Sequence, residues 1–306
     1  MKIDRREFIA FSSAAVALSP LARAIAAQAP AAQTPPPAAP KFEDVRRNVG
    51  IFTMRGGTIG WLVNRDAVIV VDTQFADTAK ACIDGLKQKA NRPIDAVFNT
   101  HHHGDHTGGN AVFRAEAKRL IAQANVPGLQ RTAAAPNAAA PTVADVTFDK
   151  TWSESFGDEK ITARYDGPGH TGGDSIIHFE RAHVVHMGDL LFHQRHPRVD
   201  RPGGASVQNW LKILERTTKD MPADTIYIAG HSKEGLPVTV DRTAVLRFRD
   251  YFDAALALTR KSIAAGQSKE ALTATAALPG FEDYQGGGSL TLSGVLSATF
   301  DELTAK

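Results

Sequence analysis

The six residues His101-His102-His103-Gly104-Asp105-His106 follow the apolar run Ile94 to Thr100 without a break. Ile94, Ala96, Val97 and Phe98 read as a short buried strand, which puts the histidines on the loop at its carboxyl end. Sites in α/β folds are commonly built there. In extended backbone, residues two apart project to the same side, so His101 and His103 can grip one ion with Asp105 on the same edge. His106, one step on, can face a second ion. His102 projects away from its neighbours and reads as structural support.

Such a loop needs distant residues to complete it, and three other strand ends offer them. Gly167-Pro168-Gly169-His170-Thr171-Gly172-Gly173-Asp174 follows the alternating run Ile161 to Tyr165. Met187-Gly188-Asp189 follows Val184-Val185, and Gly230-His231-Ser232 follows Ile226-Tyr227-Ile228. Each places a ligand-type side chain just beyond a strand, next to a glycine that permits a tight turn. The candidates are therefore His101, His103, Asp105, His106, His170, Asp189 and His231. His178, His183 and His186 read as solvent-facing or packing histidines.

With this HxHxDH signature, followed in order by a His, an Asp and a final His, the chain resembles the metallo-β-lactamase superfamily over roughly residues 45 to 235. Thr100, Gly104 and Val70-Val71-Asp72-Thr73 match the same pattern. The resemblance implies an α/β fold, the αββα four-layer sandwich. It also implies two metal sets: His101, His103 and His170 for the first ion, Asp105, His106 and His231 for the second, with Asp189 bridging.

The residue types suit that chemistry. Neutral imidazoles and carboxylates favour two Zn2+ ions, and the lack of a thiolate leaves room for Fe or Mn. Two ions about 3.5 to 4 Å apart hold a hydroxide between them and polarise a scissile oxygen. Bound water falls in pKa from ~15.7 towards ~7, so a nucleophile exists at neutral pH without Ser or Cys. Asp105 would orient it and assist proton transfer. The expected activity is dinuclear zinc-dependent hydrolysis of an ester, lactone, thioester or amide carbonyl in a small-molecule substrate.

Penicillin-degrading members of the family usually present Cys or Ser where this chain has Asp189, so a β-lactamase is the second reading. Glyoxalase II shares the bridging Asp but adds a helical domain with basic residues; Arg242, Arg247 and Arg249 read instead as a solvated helix face. An iron-dependent dioxygenase acting on sulfur compounds needs only the first-metal set and is a third reading. In the loop Leu190 to Pro197, Arg195 and His196 are candidates to bind a substrate carboxylate. The hairpin from Phe52 to Trp61, turning near Gly56-Gly57, can form a flap with Met54 towards the site and Trp61 in the core.

At the amino terminus, Asp4-Arg5-Arg6-Glu7-Phe8-Ile9 leads an apolar stretch to Leu18, with small-residue cleavage options around Ala22-Arg23-Ala24 or Ala24-Ile25-Ala26. Residues 1–26 look like a twin-arginine export signal, which points to the twin-arginine export machinery and the bacterial periplasm. The apolar run is shorter than the ~20 residues a bilayer span needs, so no permanent membrane anchor is expected. An Ala/Pro-rich tether, 27–40, leads to one domain, 41–306, with C-terminal helices. The signal's four cationic and two acidic side chains account for the chain's net +2. A near-neutral remainder offers no basic stripe for nucleic acid.

Helix signals cover Ala76 to Ala90, Val207 to Asp220, Asp241 to Ala265 and Lys269 to Thr275, expected on the outer faces of the sheets. Cys82, the only cysteine, lies in the first of these, so no intramolecular disulfide can form and it reads as a small core residue.

Overall fold

Two β-sheets organise the chain, and alternation along each strand decides which residues face the partner sheet and which face helices. A computed structural model describes residues 39–305. The segment read as an export signal, and the Ala/Pro-rich run up to residue 38, lie outside the described residues. The first sheet runs in chain order: β1 (Lys41–Arg46), β2 (Val49–Thr53), β3 (Ile59–Val63), β4 (Val68–Val71), β5 (Ala96–Asn99), β6 (Leu120–Gln123) and β7 (Val146–Phe148). Its first four strands pair antiparallel, the rest parallel.

Then follow β8 (Thr151–Phe156), β9 (Glu159–Arg164), β10 (Ile176–Phe179), β11 (Val184–His186), β12 (Phe192–His193), β13 (Ile226–Ile228), β14 (His231–Ser232) and β15 (Thr239–Val240). The second sheet has the order β15-β13-β11-β10-β9-β8, while β12 and β14 form a small parallel pair.

β4 shows how the layers arise. All four of its residues are buried, as expected of a strand covered on both faces. Ile69 and Val71, with Ala96 and Phe98 of β5, pack against Ile161, Ala163, Ile177 and Phe179 of the second sheet. Val68, Val70 and Val97 face the other way, onto Ala79, Cys82, Ile83 and Leu86 of α1 (Ala76–Lys89). The short helices α2 (Gly104–Thr107), α3 (Asn110–Arg114) and α4 (Val126–Ala133) follow. On the far face of the second sheet, Val185 and Tyr227 pack with Trp210 and Leu214 of α5 (Val207–Asp220), Phe248 and Phe252 of α6 (Arg242–Ala264), Leu272 of α7 (Lys269–Thr273) and Val295 and Leu296 of α8 (Leu292–Thr304). Helix, sheet, sheet, helix is the expected αββα sandwich.

The helix limits have local causes. Ser206 and Asp241 cap α5 and α6, their side chains accepting from Asn209 N and Ala244 N. α8 lies outside the helix signals of the sequence, because Gly294 and several Ser and Thr residues lower its intrinsic propensity. Thr291 caps it, and burial of Leu292, Val295, Leu296 and Ala298 holds it in place. Cys82 is fully buried, and that burial pushes its thiol pKa up. Among the described residues no helix is long and apolar enough to cross a membrane.

Candidate metal centre

β5 delivers the histidine run to the carboxyl edge of the first sheet, but the backbone does not stay extended through it. His103 is still extended (φ −64°, ψ 147°), and Gly104–Thr107 then coils into one helical turn. Strand alternation therefore holds for His101 and His103 and fails at Asp105. Asp105 leaves their edge and groups with His106 and His231.

Four side chains converge as a first set: His101, His103, His170 and Asp189. His103 Nδ1 lies 3.2 Å from His101 Nε2 and 2.9 Å from His170 Nε2. Asp189 Oδ2 lies 3.4 Å from His170 Nε2 and 3.9 Å from His101 Nε2. The second set is Asp105, His106 and His231, with Asp105 Oδ2 3.1 Å from His231 Nε2 and 3.8 Å from His106 Nε2. The other oxygen of Asp189, Oδ1, stands 3.0 Å from His106 Nε2 and 3.4 Å from His231 Nε2. One carboxylate thus turns an oxygen to each set.

These separations fit metal ions. Four ligand atoms arranged tetrahedrally at 2.0–2.2 Å from an ion lie roughly 3.3–3.6 Å from one another. The ring protons point the same way. His170 Nδ1 is 2.8 Å from the Arg198 carbonyl, which can only accept, so a neutral His170 carries its proton there and turns a lone pair inward from Nε2. His103 Nε2 is 2.9 Å from Asp200 Oδ2, which likewise leaves a lone pair on Nδ1. Two lone pairs facing each other at 2.9 Å are repulsive unless a cation lies between them. Asp189 Oδ1 is a further buried acceptor, 3.0 Å from His106 Nε2 and 3.4 Å from His231 Nε2, as a shared metal ligand requires.

Burial drives His101 well below the ordinary histidine range, helped by the charge of His106, and pushes His170 down to about 3. Both rings are neutral and ready to ligate at physiological pH. His106 differs. Burial works to lower it, but Asp189 and Asp72 outweigh burial and hold it well above the ordinary range. Burial also works to raise Asp105, yet its hydrogen bond to His231 and the charge of His106 bring it down to about 2. The same histidines hold the buried Asp189 well below the carboxylate range.

Residues around the sets fix their orientation. Asp72, fully buried at the end of β4 with φ +65°, accepts from Thr100 N and Thr100 Oγ1 and meets His106 Nδ1 at 2.7 Å. The left-handed backbone is one Asp tolerates better than most residues, and it occurs where Asp72 must aim at two partners. Asp174 accepts from Gly169 N, Thr171 N and Thr171 Oγ1, tying down the loop that carries His170, and burial pushes it up to about 7.

The remaining sequence candidates divide. Arg195 Nη1 lies 3.4 Å from the carbonyl of Ser232, one residue beyond His231. His196 instead meets Tyr251 Oη at 2.8 Å and packs beside Tyr284. The hairpin turn is stitched to the site rather than free, through Gly57 N to the Asp105 carbonyl and Thr58 N to the Gly230 carbonyl. Met54 packs with the outer core of the first sheet, where Trp61 also lies. His186 is buried, with Nε2 3.1 Å from the Thr58 carbonyl, and His183 is half-buried beside Asp224. Asp200 was not foreseen: in Val199-Asp200-Arg201-Pro202 it has the look of an ordinary turn aspartate.

Comparison with known proteins points to one family. A family model described as "Metallo-beta-lactamase superfamily" matches residues 53–231, a span that contains all seven candidates. The chain is 22% identical over 174 residues to metallo-beta-lactamase IND-1 of Chryseobacterium indologenes, covering 56% of this chain and 70% of that protein. It is 28% identical over 170 residues to hydroxyacylglutathione hydrolase of Rhodospirillum rubrum, covering 54% of this chain and 57% of that enzyme, so it spans little more than half of that relative's length. A solved metallo-beta-lactamase from Pontibacter korlensis shares the fold at a TM-score of 0.60 and 15% identity, over 70% of this chain and 99% of the other.

Proposed function

Because the chain belongs to the metallo-beta-lactamase superfamily, we propose that it is a hydrolase working with two divalent metal ions, zinc by preference, on an ester, lactone, thioester or amide carbonyl of a small molecule. The observation that carries this reading is Asp189, which turns Oδ2 to one histidine set and Oδ1 to the other. A structural single-ion site has no use for a carboxylate shared in that way.

Ions bound in the two sets would supply Lewis acidity and lower the pKa of water towards ~7. His101, His103 and His170 would hold the first, and are themselves held rigid from outside by Thr100, Asp200 and the Arg198 carbonyl. His106 would offer Nε2 to the second, since Asp72 holds Nδ1. Asp105, the most exposed of the seven at 31%, stays ionised at neutral pH and stands where an attacking water can donate a hydrogen bond to it. Its free carboxylate lone pair is then placed to steer that proton towards the leaving group.

Both the hydroxyacylglutathione hydrolase and the β-lactamase relatives act by hydrolysis, which supports the reaction class, and an Asp at position 189 favours ester, lactone and thioester carbonyls over the strained amide of a β-lactam. The proposal extends to export: Asp4-Arg5-Arg6 directs the protein to the periplasm, and Arg5→Lys with Arg6→Lys should retain it in the cytoplasm. The functional reading is tested by metal analysis of freshly purified protein followed by hydrolysis assays on lactones, thioesters and β-lactams. Close to two zinc ions per chain with turnover of a carbonyl ester or thioester supports it. About one iron per chain with oxygen-dependent oxidation of a sulfur compound overturns it.

A further inference from the structure

One short segment, Arg198-Val199-Asp200, reaches two of the three histidines of the first set. The Arg198 carbonyl meets His170 Nδ1 at 2.8 Å, and Asp200 N donates to the His170 carbonyl at 3.2 Å. Asp200 Oδ2 meets His103 Nε2 at 2.9 Å. That same oxygen is approached at 3.4 Å by His102 Nε2, from the one histidine of the run that belongs to neither metal set. Oδ1 of Asp200 accepts from Gly203 N at 3.2 Å. His102 and Asp200 are almost fully buried, with side-chain exposures of 3% and 7%, so water does not compete for these contacts.

An imidazole can present either nitrogen to an ion, and the partner of the outer nitrogen decides which. Asp200 is an acceptor at His103 Nε2 and so keeps the Nδ1 lone pair pointed inward. Asp200 itself needs a fixed orientation to do this, and His102 Nε2, 3.4 Å from the same oxygen, is placed to help set it, beside the Gly203 N–H on Oδ1. His102 Nδ1 is buried without a hydrogen bond, so an apolar packing role would be better served by Leu or Phe than by a ring with an orphaned nitrogen. The contacts form a chain: His102 to Asp200, Asp200 to His103, and His103 to the first ligand set.

We propose that His102 and Asp200 are positioning residues for the first metal set, His102 acting only through Asp200. The proposal rests on the reading that His101, His103, His170 and Asp189 take a metal ion. It makes His102 functional where strand alternation alone assigns it to support.

The test uses the full chain, with affinity for each ion measured by Co2+ titration against a competing chelator and the ligand field followed by the visible absorption of bound Co2+. Asp200→Asn should weaken the first ion by about 10–100-fold and shift its absorption, while the ion in the second set changes by less than about twofold. His102→Ala should weaken the first ion by a smaller factor, and His102→Gln, which keeps a donor, should recover part of that loss. The double variant should be no worse than Asp200→Asn alone, because the two residues act in series. Wild-type affinity and spectrum in Asp200→Asn would overturn the proposal. So would additive losses in the double variant, or equal loss of both ions with a lowered melting temperature, which would mark a scaffold role. A third Co2+ equivalent in the wild type that Asp200→Asn lacks would show His102, His103 and Asp200 to be a metal site in their own right, and would also overturn it. Wild-type protein that takes up no ion would sink the underlying two-metal reading instead.

Discussion

The two halves of the metal centre use the same ligand chemistry in different surroundings. In the first set, every histidine has an outward partner: Thr100 Oγ1 for His101, Asp200 for His103, the Arg198 carbonyl for His170. His101 and His170 are almost fully buried. In the second set only His106 is held comparably, by Asp72, while Asp105 is 31% exposed and His231 is stacked against Phe192 at 5.4 Å. The difference separates two tasks. A ligand locked from outside favours tight, permanent binding, whereas an open carboxylate lets water and substrate reach the ions.

The strongest way to erase the contrast is to remove the residue both halves share. Asp189→Ala should empty or cripple both sets and lower kcat/KM by more than about 1000-fold, on the order of 4 kcal/mol of transition-state stabilisation. Steady-state kinetics with metal analysis would check it; retention of two ions would mean that Asp189 does not bridge. Asp105→Ala should release one ion, keep the other and cost roughly 100-fold in turnover, because the first set is complete without it.

A subtler break leaves every ligand in place. A Cβ on Gly57 would run into the ring of His106, so Gly57→Ala should displace His106 and weaken the second ion by about 10-fold, with the first ion unaffected. Chelator competition would report the two ions separately.

Protonation should distinguish the halves as well. His106 is held well above the ordinary range in the metal-free site, so an ion entering the second set must displace its proton, and affinity there should rise with pH. His101 and His170 are depressed by burial and have no proton to lose at neutral pH. Titration calorimetry in buffers of different ionisation enthalpy should therefore find more proton release with the second ion than with the first. Equal release for both would contradict the assignment of charge to His106.

Much of this was legible in the sequence, for reasons that differ by residue. His101 and His103 follow from strand alternation after Val97 and Phe98, and His170, Asp189 and His231 from the glycines that mark strand ends. α5 has the limits its helix signal gives, with Ser206 capping it, whereas Asp241, read as the first residue of α6, stands just outside that helix as its cap. The grouping of Asp105 with His106 was not legible from alternation, because the chain turns helical at Gly104. α8 was missed since packing, and not propensity, stabilises it. Asp200 was missed because its role depends on a fold-level encounter across 97 residues with His103, which no local pattern encodes. The same limit applies to Arg195 and His196: adjacent in sequence, they go to Ser232 and Tyr251 respectively.

The most direct test is to titrate metal-free protein with Zn2+ in the presence of a competing chelator, for the wild type and for Asp105→Ala. Two binding events are expected in the wild type, the second weaker by more than about 10-fold, and only the tighter one in the variant. A single ion in both proteins, or two ions of equal affinity that are lost together, would contradict a centre built from one locked and one open half.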